Sequence, residues 1–179
     1  MTLDDTVALL RRHAARAEPG HESEMLAGYF PFIAAHPDCL RRSCLDGHLT
    51  ASAWVVDPAR TRVLLTHHRK LDLWVQLGGH ADGEADLLAA ALREVREESG
   101  LTRVRAVSAE IFDVDRHRIP ARKTEPEHWH FDVRFLIEAD PAEPVIVSDE
   151  SHDVAWVTLA EATRLNPEES IGRMVRKTR

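Results

Sequence analysis

Cysteine is scarce: Cys39 and Cys44 are the only two in 179 residues. A disulfide scaffold is thereby excluded, and a reducing, cytoplasmic setting is expected. No apolar run approaches the ~20 residues of a membrane span. The opening stretch MTLDDTVALLRRH lacks the basic-then-apolar order of a secretion signal. Internal repeats and low-complexity tracts are missing as well. So is any basic excess, since 23 Lys and Arg stand against 30 Asp and Glu, a formal net charge of −7. A nucleic-acid backbone wants the opposite sign, so backbone binding of that kind is not expected. What is present is 44% apolar residues in a chain long enough to bury a core without staples. That is one domain's worth of sequence with room for one appendage.

The first 46 residues read as helical and the rest as a mixed domain, 47–179. Leu3, Val7, Leu10, Ala14 and Ala17 recur at helical steps, predicting a helix over 3–17 that Pro19-Gly20 ends. A second helix is expected over 21–36, kinked or split by Pro31. Strands are expected at 48–56 and 62–68 as a hairpin, and a short extended piece at 73–77 ends on Gly78-Gly79. The strongest helix spans 84–99 and closes at Gly100, where positive φ suits glycine. Further strands are predicted near 103–113, 128–138 and 153–159, with helices over 159–165 and 168–176 separated by Asn166-Pro167. The charged, proline-containing stretch 115–127 reads as a loop. This mixture predicts an α/β or α+β class around a mixed sheet.

The chemistry concentrates between Gly78 and Leu101, in GGHADGEADLLAAALREVREESGL. Glu94, Glu97 and Glu98 stand at i, i+3 and i+4 and share a helix face. Three solvated carboxylates so placed repel one another, and a divalent cation explains the cluster where apolar packing does not. Oxygen-only ligands select Mg²⁺, Mn²⁺ or Ca²⁺ over zinc. Leu88, Ala91 and Val95 occupy the opposite face, ready to dock on a core. Arg93, one turn before Glu97, is placed to brace that carboxylate. The bland alternative is a solvated charged face on an alanine-rich helix.

The segment resembles the Nudix box, G-x5-E-x7-R-E-U-x-E-E-x-G-U, where U is a bulky aliphatic residue. Gly79 takes the first glycine, and Arg93 through Leu101 match the second half at every fixed position. One position departs: the first box glutamate falls on Ala85, with Glu84 one residue early. The resemblance implies an α/β/α sandwich and hydrolysis of a nucleoside diphosphate derivative with Mg²⁺ or Mn²⁺. It makes Glu94, Glu97 and Glu98 metal ligands, adds a backbone carbonyl of Gly78 or Gly79, and gives Arg93 the orientation of the glutamates. The proton acceptor lies in the box, at Glu97 or Glu98, or downstream at Asp149 or Glu150. An isomerase of isopentenyl diphosphate and a sensor without turnover share the fold. The cysteines precede the sheet, and all three glutamates are kept, so hydrolysis is preferred.

Other signals are weaker. HWHFDVRFL alternates, sending Trp129, Phe131, Val133 and Phe135 to the core and His128, His130, Asp132 and Arg134 to the other face. That second face lines the substrate cleft, with His130 or Arg134 meeting phosphate, or faces solvent. His67 and Arg69, in the basic cluster His67-His68-Arg69-Lys70, are candidates for steering or holding a phosphate. Gln76 and His80 flank the diglycine. Trp74 is the candidate for stacking on a base, and Trp54, Trp129 and Trp156 are expected in the core. His36, Cys39, Cys44 and His48 could in principle hold zinc, though the spacing is not that of a standard finger. The partner is therefore a small diphosphate, with a homodimer open and no membrane.

Overall fold

Thr2 opens the first helix through a reciprocal cap: its hydroxyl accepts from Asp5 N, and the Asp5 carboxylate accepts from Thr2 N at 2.7 Å. The computed structural model describes residues 1–17, 20–121 and 125–178. Helix α1 spans Leu3–Ala14, and α2 spans His21–Ala35. Pro19, expected to end α1, lies outside the described residues, but α1 has already closed at Ala14. Pro31 does not split α2. A mid-helix proline costs ~3 kcal/mol, and burial of Leu26, Tyr29 and Ile33 on both sides of it offsets that cost.

Strand β1, Gly47–Val56, is buried along its whole length. It runs parallel to β7, His128–Ala139, with His48 beside His130, Thr50 beside Asp132 and Ser52 beside Arg134. On its other edge the middle of β1, from Thr50 to Ala53, pairs with β4 (Leu77–His80) and its last two residues pair with β2 (Arg62–His68). Strand β7 is divided in the same way, between β6 (Asp113–Ile119) and β5 (Val104–Ala106). Strands β3 (Leu73–Val75) and β8 (Ser151–Thr158) complete the sheet on β2. Because each central strand changes partner midway, the mixed sheet curls.

Helices cover both faces. Leu49, Ala51, Ala53 and Val55 of β1 share one core with Phe131, Val133 and Phe135, with α1 and α2, and with α3 (Leu87–Ser99). Trp54 and Val56 point the other way, into a second core with α4 (Leu159–Leu165) and α5 (Glu169–Lys177). Trp54 donates its indole N–H to Thr178 at 2.8 Å. The expected α+β sandwich is present.

Two local expectations change. The predicted single strand 103–113 breaks after Ala106, where Ser108 accepts from Glu110 N in a tight turn. The predicted loop 115–127 is instead strand as far as Ile119. Asp115 of that stretch, with Asp113 just before it, enters the sheet because buried arginines meet both. Residues 122–124 of that stretch lie outside the described residues. Among the described residues no helix is long and apolar enough to cross a membrane.

Candidate active site

The diglycine does not end a strand; it sits inside one. Gly78 pairs with Ser52 and Gly79 with Ala51, so β4 lies tight against β1. Gly78 adopts φ +155°, and a Cβ there would stand 2.6 Å from Ser52 Cα. At Gly79 a Cβ would stand 2.5 Å from the Glu94 carboxylate. Both glycines therefore let the acidic helix and the central strand close on β4 together. Gly78→Ala is expected to destabilise the protein by about 1–3 kcal/mol, the scale of a strained backbone position. Thermal unfolding checks this, and an unchanged melting temperature would show that β4 has slack.

Before the helix the chain turns at Asp82 and Gly83, both with positive φ. Arg42 holds Asp82 through two bonds of 2.7 and 2.8 Å, and Gly83 N donates to Leu40 O. The segment ahead of the sheet thus braces the box loop, a role that the sequence did not signal. Helix α3 starts at Leu87, later than expected, because Asp86 caps it by accepting from Ala89 N. Glu84 accepts from Asp86 N at 2.7 Å, while Ala85 packs inward with its carbonyl bonded by Thr6. The one-residue shift of the first glutamate follows: position 85 faces the interior, and Glu84 supports the turn.

The glutamate face is graded in burial. Glu97 is exposed, Glu94 is mostly covered, and Glu98 is 7% exposed. The expected separation of an acidic face from a core face is therefore incomplete, since Glu98 lies beside Val95 and Ser99 in the buried stripe. Its carboxylate accepts from Gly78 N at 2.9 Å. Burial pushes the Glu98 carboxyl up to about 8, aided by the charges of Glu94, Glu150 and Glu97. Burial also raises Glu94, against the pull of Arg93. Arg93 contacts Glu94 at 2.7 Å and Glu97 at 3.2 Å, and donates to His80 O at 3.1 Å. One guanidinium thus ties two carboxylates to the strand that carries the diglycine.

This donor set fits a divalent cation. Glu94 lies against Gly79 and Glu98 against Gly78 N, and carboxylate oxygens are the donors a hard divalent cation takes, its charge offsetting what burial penalises in these two.

The downstream acids sit close by. Glu150 is exposed but near enough for its charge to act on Glu98. Arg69 fixes that loop, donating to the carbonyls of Asp149 and Ser151, while Arg69 N donates to Glu150 O. Arg69 is therefore engaged in holding the acidic loop. His67 and Trp74 stack on each other, 5.2 Å apart and nearly parallel, and His67 contacts Asp72. Gln76 donates to Asp132 at 3.1 Å.

Arg134 is not on an open cleft face. It is 2% exposed and bonds Asp132, Asp113 and Asp115 at 2.7, 3.1 and 3.1 Å. With its guanidinium committed to three carboxylates it is not available to meet phosphate. His130 is half-buried among other histidines. Trp129 sits at the rim of the core with Arg116 and Arg118 over its ring, and Trp156 is likewise only partly buried. The proposed zinc quartet does not converge. Cys39 is buried in the core, and His48 turns to other histidines, while His36 and Cys44 approach Asp38.

A model of the NUDIX domain family matches residues 47–177. The chain belongs to the Nudix family and is a hydrolase of pyrophosphate bonds. Its fold is similar to that of an Ap4A hydrolase from C. elegans, with TM-score 0.58 and 20% identity over 72% of this chain and 93% of that one. It is also similar to the dihydroneopterin triphosphate pyrophosphohydrolase of E. coli, with TM-score 0.56 and 15% identity over 72% and 92%. A NUDIX-family hydrolase from Clostridium perfringens matches with TM-score 0.54 and 22% identity over 73% and 95%. Comparison with curated protein sequences returns no match.

Proposed function

We propose that the chain cleaves the diphosphate bond of a nucleoside diphosphate derivative with Mg²⁺ or Mn²⁺, in the reducing setting that its two free buried cysteines suit. The carrying observation is the buried Glu98 carboxyl, raised to about 8 beside Glu94, Glu97 and Glu150 and anchored on Gly78 N. A bound divalent cation would neutralise phosphate oxygens and lower the pKa of the attacking water. Glu94, Glu97 and Glu98, with the carbonyl of Gly78 or Gly79, would hold it. Arg93 keeps Glu94 and Glu97 turned toward β4. Glu150, on the loop that Arg69 holds, is exposed and placed to take a proton from water, with Asp149 beside it as the alternative. His67 and Trp74 would meet the base as a stacked pair with a flat surface, and Gln76, held on Asp132, would stand beside them as a polar contact.

The test is a phosphate-release screen over nucleoside diphosphate derivatives and triphosphates with Mg²⁺ and with Mn²⁺. Release from at least one compound, abolished by EDTA and lowered about 100-fold or more in Glu150→Gln, is expected, the scale of losing a general base. Release from none of them overturns this substrate class. Full activity in Glu150→Gln moves the proton to Asp149 or the box.

A further inference from the structure

Four strands bring five histidines to one place. His48 lies on β1, His80 on β4, His117 on β6, and His128 and His130 on β7. The parallel register sets His48 beside His130, and the β6 register sets His117 beside His130. The His48 ring lies 5.0 Å from that of His128 and 4.8 Å from that of His130, and the latter two are 5.1 Å apart. One nitrogen from each of these three lies within 4.8 Å of the others.

The hydrogen bonds around the cluster determine which nitrogens face inward. His128 Nδ1 is 2.9 Å from Pro126 O, and a carbonyl can only accept. In the neutral ring the proton is therefore on Nδ1, and Nε2 carries the lone pair. That Nε2 stands 3.2 Å from His130 Nε2. His48 Nδ1 leans on Cys44 O at 3.4 Å in the same manner. His48 Nε2 is buried with no hydrogen-bond partner among the described residues. An N–H from His130 to His128 would account for one of these contacts and leave His48 Nε2 unpaired, which costs ~1–3 kcal/mol. A cation accepts all three lone pairs at once. Imidazoles that bind metals usually donate their other N–H to a carbonyl or carboxylate, and two of these rings do so.

We propose that His48, His128 and His130 form a second metal site, for a transition-metal ion of the zinc class. Imidazole nitrogens select zinc, cobalt, nickel or copper over magnesium, so this site and the glutamate site differ in the ions they take. The ring of His80, 4.9 Å from that of His48 and 5.1 Å from that of His130, stands at the edge of the three, and a fourth position would fall to it or to water. Burial disfavours the doubly protonated ring at both His130 and His48. The ion would pin β1 to β7, and through His80 it would reach the strand that carries the diglycine. The inference stands on these rings alone and holds whatever substrate the glutamate site takes.

The experiment uses the full chain without an affinity tag, stripped with EDTA and dialysed, then titrated with zinc by calorimetry in excess Mg²⁺. Saturable binding of one equivalent is expected, with a rise in melting temperature. His130→Gln and His128→Gln should each weaken it about 100-fold or more, beyond what an outer-shell change costs. Glu98→Gln should leave zinc binding unchanged. Cobalt titration of the unaltered chain gives a second readout that does not depend on a variant folding: intense visible bands of four-coordinate nitrogen ligation are expected. Absence of saturable zinc binding, weak bands of six-coordinate oxygen ligation, or loss of zinc in Glu98→Gln with retention in the histidine variants would each overturn the site.

Discussion

Glu98→Gln is expected to abolish cation-dependent turnover and, in EDTA, to make the protein more stable. Glu98 is buried and its carboxyl lies near 8, against an ordinary value of 4.5. A group whose pKa is raised by folding carries no penalty below its unfolded value. Above pH 4.5 the unfolded chain releases the proton and the folded one keeps it, so stability falls with rising pH until about 8. At pH 7 that amounts to about 3 kcal/mol, and glutamine escapes it while still offering an oxygen to Gly78 N. For a chain of this length the melting temperature should rise by roughly 6–12 °C. Mg²⁺ should stabilise the unaltered chain and not the variant. Melting curves in EDTA at pH 4.5 and 7 check the sign: the two proteins should nearly coincide at the lower pH. A variant that melts below the parent at pH 7 would show that Glu98 is already compensated by something other than a cation.

The second large effect lies away from the glutamates. Arg134→Met should cost about 3–5 kcal/mol, because it strands buried aspartates whose charge the guanidinium had matched. Asp132 would keep Thr50, Ser52 and Gln76 as donors, and Asp113 would keep Arg173 and Lys177. Asp115 would keep the Arg116 backbone N–H at 2.8 Å, and as a cation only the looser approach of Arg173 at 3.9 Å. Arg134→Lys should not restore the loss, since one ammonium cannot replace three forked contacts. The folded state depresses Asp113 and Asp132 through these partners. Their contribution is therefore present above about pH 4 and lost as pH falls through the lowered values. The gap between Arg134→Met and the parent should narrow in acid, as the stranded carboxylates take protons. Urea denaturation at pH 7 and pH 3.5 measures this, and a gap under about 1 kcal/mol at pH 7 would show the network to be dispensable.

Legibility in the sequence followed chemistry that is local. The box could be read because a helix face is fixed by spacing of three and four, and because Gly79 and Gly100 mark its ends. The apolar strands at 48–56 and 62–68 were equally plain. What escaped was polar matter inside the fold. Asp115 looked like a loop residue, and Asp113 showed no sign of burial, because their partners, Arg134 and Arg173, are distant in the chain and meet them only after folding. Alternation in HWHFDVRFL gave two faces correctly, but neither opens freely to water, since His128, Asp132 and Arg134 are buried too. The histidine cluster was invisible for the same reason. In the sequence His48 stands with the cysteines, whereas the register of β1 on β7 sends it to His128 and His130. Arg42 carried no signal at all, because a single basic residue in a helical leader says nothing of an aspartate forty positions away.

The parallel pairing of β1 with β7 also has a bearing on the order of folding. Thr50 and Asp132, which bond across that pair, are 82 positions apart. Helix α3 needs only neighbours to form, so it can appear early, whereas closing so long a loop is slow. During synthesis the acidic helix is complete before the strand that supplies Asp132, His130 and Arg134 has been made. The carboxylates thus exist for a time as an ordinary amphipathic helix without a catalytic surface. Competence therefore waits on β7, whose residues must be made before it can pair with β1.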